Sequence, residues 1–128
     1  MQGDDALLFS YSNGGPEPFS HLMIFGVDTA GRVFWYHPAF TDAATDPTSL
    51  PIGGGQVDVE LPEQVRHQLA PGHLTIYGLF TRQPLGVKAV EQEVARLRSQ
   101  AAGEGGQPAP RLGFDRSGQH LIEIEVVP

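Results

Sequence analysis

Two apolar runs on either side of a short polar insert constrain this chain more than any other feature. Residues 21–27 and 32–37 are rich in aromatic and aliphatic side chains, and the sequence DTAGR lies between them. Gly31 in this insert can adopt a positive φ angle without steric penalty, as a tight turn requires. The first run does not alternate between apolar and polar residues, so it predicts a central strand that is covered on both faces. The whole segment is predicted to be a β-hairpin in a packed β domain.

Apolar runs elsewhere predict further strands. Their positions are residues 6–11, 56–61 and 73–80, and a second hairpin formed by residues 111–114 and 119–127. Gly78 lies inside the third of these runs and predicts a β-bulge or a close backbone approach. In the last run the alternation places Ile122, Ile124 and Val126 inward, with Glu123 and Glu125 facing out.

The intervening segments predict a helix and three connections. Val87, Val90, Val94 and Leu97 recur at helical spacing, so residues 87–99 are predicted to form an amphipathic helix that lies against a sheet or seals an open barrel end. Residues 39–55 are predicted to be a long loop, residues 62–66 one short helical turn, and residues 100–111 a flexible connection.

Together these elements predict a mainly β fold. Six or seven strands with one amphipathic α-helix favour an antiparallel β-sandwich or a partly open barrel. We expect residues 1–128 to form a single β-rich domain. Because the first predicted strand begins close to the start, we also expect this domain to be excised from a longer chain.

The charge and the residue usage exclude several classes of function. The formal net charge of −7 argues against nucleic-acid binding, which needs clustered Lys and Arg. The chain has no cysteine, so disulfides, thiolate nucleophiles and cysteine-based zinc sites are excluded. No apolar run approaches the roughly 18 residues of a membrane span, so we expect no membrane insertion.

The search for catalytic and metal-binding patterns predicts no catalytic residue, no metal and no cofactor. Common nucleophile, phosphate-loop, zinc and EF-hand motifs are absent. Asp42 and Asp46 could bind calcium in their loop, but the same residues are typical of turns. A turn could bring His67 and His73 together as ligands, whereas the simpler interpretation places them on strand edges and loops. Two pairs of carboxylates, Asp58 with Glu60 and Glu123 with Glu125, could in principle form an acid–base site. Their outward positions on alternating strands explain them without catalysis.

The aromatic segment FWYHPAF, at residues 34–40, is the best candidate for a binding site. Alternation along a strand places rings on both faces, and partly exposed Tyr and Trp side chains are favoured at interfaces. The segment also leads directly into the long loop. The predicted contact residues are Trp35, Tyr36, His37, Phe40 and Asp42. On this hypothesis Tyr36→Ala weakens association and leaves folding largely intact; the alternative is that these rings belong to the core.

One family resemblance is visible in the order of these elements. The sequence FGVD at residues 25–28, a glycine turn, an aromatic strand that ends at Pro38, and the apolar segment 70–80 together resemble the bacterial domain of unknown function 4384. The resemblance covers residues 20–90. It implies a non-catalytic, extracytoplasmic or accessory module joined to larger proteins such as kinases, caspase-like peptidases and regulators, and it brings no catalytic residues.

The sequence therefore predicts a non-catalytic accessory module that binds a protein partner, a ligand or other domains of its parent chain. Two alternatives stay open. One is a structural spacer with all aromatic side chains buried, and the other is a hydrolase-like enzyme with His37 and Asp42 in its site. The resemblance implies a bacterial protein, extracytoplasmic if this domain is excised from a longer chain and cytoplasmic otherwise. The partner and the oligomeric state are not predicted.

Overall fold

The computed structural model describes residues 6–7, 9–13, 18–38, 47–61, 65–67, 69–102 and 118–127. Within these residues the fold is mainly β, with nine strands and one helix. In chain order the strands are β1 (Ala6–Leu7), β2 (Ser10–Asn13), β3 (His21–Asp28), β4 (Val33–His37), β5 (Leu50–Pro51), β6 (Gln56–Glu60), β7 (Val65–Arg66), β8 (Gly72–Thr81) and β9 (Gly118–Val126). The helix α1 (Val87–Ala102) lies between β8 and β9 in the sequence.

The main sheet is antiparallel and has the strand order β4-β3-β8-β9, with β5 paired to the first residues of β3. Two smaller antiparallel sheets consist of β2 with β6 and β1 with β7. The described strands form no closed barrel, and the arrangement is sandwich-like. The predicted mainly β fold with one helix is confirmed.

Strand β3 lies inside the main sheet and is covered on both faces, as its uninterrupted apolar sequence predicted. Met23 and Phe25 belong to a core that includes Val90 and Val94 of α1. Leu22 and Ile24 point to the other face, where a second core forms around them. We call these the helix-side core and the strand-side core, because β2 contributes Tyr11 to the second.

The helix covers one face of the main sheet through the apolar stripe seen in the sequence. Val87 and Val90 are fully buried there, Val94 is buried, and Leu97 packs against the same core. The helix continues to Ala102. The prediction of a flexible connection is therefore wrong for residues 100–102, which form the last helical residues, and residues 103–111 lie outside the described part.

The predicted hairpin between β3 and β4 is confirmed, and Asp28 holds its turn. The backbone N–H groups of Ala30 and Arg32 donate to Asp28 Oδ1 over 3.0 and 2.8 Å. The Arg32 guanidinium donates to Asp28 Oδ2 over 2.7 Å. Gly31 has a φ of 81°, the positive value that its position predicted.

The predicted strands 73–80 and 119–127 correspond to β8 and β9, and the strand 56–61 corresponds to β6. The partner hairpin strand 111–114 lies outside the described residues. The register of β8 against β3 and β9 runs without a shift across Gly78, so the predicted bulge is absent. Ile122 on β9 is 54% exposed, so the second layer does not cover this predicted inward position.

Three local predictions are wrong because long-range pairing decides the structure. The predicted strand 6–11 divides into β1 and β2, which pair with different segments, β7 and β6. Val65 and Arg66 form β7, where a helical turn was predicted, because β1 supplies a partner strand. The long loop 39–55 contains β5, which pairs with β3. None of these partners is close in sequence, so local patterns do not reveal them.

Truncation of two aliphatic residues on the main sheet should have very different costs. Leu79 is fully buried in the helix-side core, and Leu79→Ala is expected to lower the free energy of unfolding by about 2–5 kcal/mol. Ile122→Ala removes a half-exposed side chain, and its expected cost is below about 1 kcal/mol. Urea denaturation of the two variants beside the wild type measures both. Equal losses would contradict the described exposure of Ile122.

Candidate functional site

The last three residues of the aromatic strand β4 are buried, although β4 is an end strand of the main sheet. Trp35, Tyr36 and His37 are 5%, 0% and 5% exposed. The partial exposure that the interface hypothesis required is therefore not found for these three side chains. The alternative that the rings belong to the core describes them, with Trp35 in the helix-side core and Tyr36 in the strand-side core. The predicted placement of successive rings on opposite faces is correct. Phe40 and Asp42 lie outside the described residues.

A cluster of rings surrounds Tyr36. The ring of Phe9 lies edge-on to it at 5.3 Å between centroids, and the imidazole of His67 lies edge-on at 4.9 Å. His67 Nε2 donates to the backbone oxygen of Trp35 over 2.6 Å, which fixes the imidazole against β4. Phe9 also packs edge-on against His37 at 6.1 Å. Phe9 therefore packs against both Tyr36 and His37.

The hydroxyl of Tyr36 is buried without a hydrogen-bond partner among the described residues. Burial disfavours the charged phenolate, and it raises the pKa of Tyr36 to about 12. This side chain thus remains a neutral phenol at physiological pH. Its environment is that of a core residue, not of an acid–base catalyst.

An open groove runs along β2 on the strand-side face of the main sheet. Its volume is about 370 Å³, within the range of about 300–1,000 Å³ that is typical of ligand sites. We call it the β2 groove. One wall consists of Phe9, Ser10, Tyr11 and Ser12, the floor consists of Leu22, Ile24, Ile76, Gly78 and Phe80, and the other wall consists of His120 and Ile122.

Among the described residues, the lining of the β2 groove is mainly apolar, with a few polar residues and no carboxylate, lysine or arginine. Its polar lining residues are Ser10, Tyr11, Ser12 and His120. An unpaired charge would lose its hydration in such a groove without compensation. The lining therefore suits an uncharged, mainly apolar ligand.

Gly78 contributes to the depth of the groove. It lies in the middle of β8, between Ile24 of β3 and His120 of β9. A Cβ atom at this position would find His120 Cβ 3.8 Å away, which is an ordinary contact. The glycine therefore leaves space in the floor that a larger side chain would fill without a clash at its Cβ. The sequence did signal this residue, as a glycine that interrupts a strong strand.

Asn13 holds the end of β2 in place over the main sheet. Its side-chain Nδ2 donates to the backbone oxygens of Phe19 and Gly53 over 2.6 and 2.9 Å. Its Oδ1 accepts from the Phe19 backbone N–H over 2.9 Å. Asn13 is buried. One amide thus connects the groove wall to the segment that leads into β3.

The predicted histidine pair does not form, because His67 and His73 have different partners. His73 lies on β8 opposite β9, where its Nδ1 donates to Glu125 Oε1 over 3.0 Å and its Nε2 lies 3.7 Å from Glu123 Oε1. The hydrogen bond with Glu125 and the charges of both carboxylates raise the pKa of His73. All three side chains are solvent-accessible, so this is a surface ion pair.

Two further findings concern the part of the chain that the structure describes. No three His, Asp or Glu side chains there form a group that could hold a metal ion. The calcium candidates Asp42 and Asp46 lie outside that part. The helix it contains is not long and apolar enough to cross a membrane.

No family model, no curated protein and no solved structure matches this chain. The β2 groove is therefore assigned from its own geometry. The local sequence patterns missed most of it, because β2 and β9 are more than a hundred residues apart in the chain. Only Gly78 and the inward alternation at Ile122 gave a signal.

Replacing Tyr36 by Phe tests the buried hydroxyl. At neutral pH, Tyr36→Phe should raise the free energy of unfolding by roughly 1 kcal/mol, because it removes a buried polar group without a hydrogen-bond partner among the described residues. Tyr36→Ala should lower it by about 3–5 kcal/mol, in contrast to the tolerance expected from the sequence. Urea denaturation measures both changes.

The same variant has a pH signature with a defined sign. Above pH 10 the unfolded chain loses its tyrosine proton while the folded protein retains it, since the pKa of Tyr36 is about 12 when folded. The stability of the wild type should fall between these pH values, and the fall should be smaller in Tyr36→Phe. Tyr77 also has a raised pKa from burial and the Glu123 charge, so the difference between the two proteins isolates Tyr36. Parallel curves would show that Tyr36 is accessible.

His73 should titrate above its ordinary pKa of 6.5, because protonation strengthens its contact with Glu125. A raised folded-state pKa means that this contact stabilises the protein below pH 6.5 and loses that effect as the pH rises through the folded value. Glu125→Gln should move the titration midpoint of His73 down. Two-dimensional NMR of the imidazole resonances measures the midpoint in both proteins; an unchanged midpoint would contradict the contact with Glu125.

Proposed function

We propose that this protein is a non-catalytic accessory module of a larger bacterial protein and that it binds its partner in the β2 groove. The observation that carries the proposal is the half-open groove of about 370 Å³, whose described lining residues are mainly apolar and include no carboxylate, lysine or arginine. Ile122 on its wall is 54% exposed, so the strand-side core lacks cover at this place. An exposed apolar surface beside a formed groove is typical of a binding site.

The proposal moves the binding surface away from the predicted contact residues. Tyr36 and His37 support the groove from behind, through Phe9, and do not face a partner. This arrangement also argues against an enzyme with His37 in its site, because the imidazole lies in the core. The resemblance to the bacterial domain of unknown function 4384 agrees with an accessory role.

A structural spacer is the competing function, and the burial of Trp35 and Tyr36 favours it. A spacer needs no recognition surface. The two functions differ in the effect of a substitution that fills the β2 groove. Such a substitution prevents ligand binding by a binding module, whereas it does not affect the function of a spacer.

Gly78→Val should fill the floor of the groove and abolish binding there while the fold is kept. The added side chain starts from a Cβ with only ordinary contacts, and valine favours strands, so we expect equal or higher stability. The neutral apolar dye N-phenyl-1-naphthylamine is the probe. Its fluorescence with the wild type should rise on binding, and Gly78→Val should weaken that binding at least tenfold.

The matched control is Ala89→Leu, which adds an aliphatic side chain at an exposed position of α1, away from the groove. It should bind the dye as the wild type does. If the wild type does not bind the dye, or if Gly78→Val binds it equally well, the groove is not the binding site and the spacer function is favoured.

A further inference from the structure

The edge of strand β2, and not only its side chains, faces the β2 groove. Phe9, Ser10, Tyr11 and Ser12 all line it, although side chains in a strand alternate between two faces. Because Phe9 and three successive residues of β2 border the groove, backbone atoms along this strand line it as well as alternate side chains. The opposite edge of β2 pairs with β6.

The hydrogen bonding of β2 shows which backbone groups point into the groove. The Leu61 N–H donates to the oxygen of Phe9 over 2.8 Å, and Tyr11 stands opposite Val59 in the same ladder. Alternate residues of an antiparallel strand direct their N–H and C=O groups to the same neighbour. Since the backbone N–H and C=O groups of Phe9 and Tyr11 point to β6, those of Ser10 point away from β6, to the groove. No strand of the described residues pairs with this edge.

Within the part of the chain that the structure describes, no strand of the second layer lies beyond this edge. Strands β6 and β2 cover part of the strand-side face, and β9 extends beyond them with Ile122 half exposed. Another strand on the edge of β2 would lie about 4.8 Å further along the layer. It would cover the groove floor at Ile76 and Gly78, and it would cover Ile122.

We infer that the β2 groove binds an extended segment of a separate partner protein, which adds to the edge of β2 as a third strand of the second layer. This inference rests on the proposed function of the groove and names its ligand. The backbone of the segment pairs with Ser10, and its inward side chains lie on the apolar floor, as in other cases of β-strand addition. The largest inward side chain lies over Gly78, where the floor lacks a Cβ.

The charge of the groove defines the chemistry of the segment. The described lining residues include no carboxylate, lysine or arginine, so the inward residues of the segment are uncharged and apolar at alternate positions. The net charge of −7 disfavours an acidic partner at long range. The partner segment is thus a neutral or basic strand with every second residue apolar.

The test begins with a displayed library of random eight-residue peptides. It is selected on the full chain and counter-selected on Gly78→Val. The expected result is enrichment of sequences with apolar residues at alternate positions, which bind the wild type and Ala89→Leu equally. Binding of the enriched peptides should leave the dye unable to enter the groove.

Methylation of single peptide nitrogens then separates backbone pairing from simple apolar contact. Methylation at the residue that pairs with Ser10 should weaken binding roughly tenfold or more, since a backbone hydrogen bond is lost. Methylation at the next residue, whose N–H points away from β2, should change binding little. Ser10→Pro removes the protein's own donor and should weaken peptide binding but not dye binding, with Ser10→Ala as its control.

The outcomes distinguish this inference from the proposed function. If the dye binds but no peptide is enriched, or if both methylated peptides bind equally, strand addition is wrong and the groove takes small molecules. If the peptides enriched are charged at alternate positions, the inferred chemistry is wrong. If neither dye nor peptide binds, both the inference and the proposed function fail.

Discussion

The burial of β3 on both faces is the constraint on which the rest of this structure depends. Phe25 needs cover on one side of the strand and Leu22 on the other, and full burial of such a side chain contributes about 1.5–3 kcal/mol. Neither face can remain in water without losing that contribution. The helix covers the first face. Among the described residues, the small sheet of β2 and β6 covers the second face only in part and leaves the β2 groove open beside it.

The two coverings differ in a way that affects function. Helix α1 presents a stripe of valines to the sheet, and the described cover on this face is continuous around Phe25 and Trp35. On the other face Phe9 has two roles, because it packs against the ring of Tyr36 and also lines the groove. The shape of the groove wall therefore depends on the core behind it. A substitution in the aromatic cluster around Tyr36 would therefore alter the groove wall by moving the ring of Phe9.

The sequence predicts those parts of the fold that local residues determine. The DTAGR turn, the valine stripe of α1 and the uninterrupted apolar sequence of β3 each contain their own structural explanation. The division of residues 6–11 between two sheets, the strand β7 and the exposure of Ile122 do not, because each depends on a partner strand far away in the chain. The candidate site was missed for the same reason. The aromatic residues of β4 predicted a binding surface. Trp35 and Tyr36 are core residues instead, because the helix-side core and the strand-side core cover the two faces of β4.

Asn13 affects the position of one groove wall without contacting a ligand. Its amide connects β2 to the segment before β3 and to the loop at Gly53, and it is not among the residues that line the groove. Hydrogen bonds outside the contact surface thus help to hold this wall in place. Two proteins with the same described lining residues but different residues at position 13 would differ in the position of the wall, and so in the ligands that fit the groove. Specificity in such a fold can change without any substitution that touches the ligand.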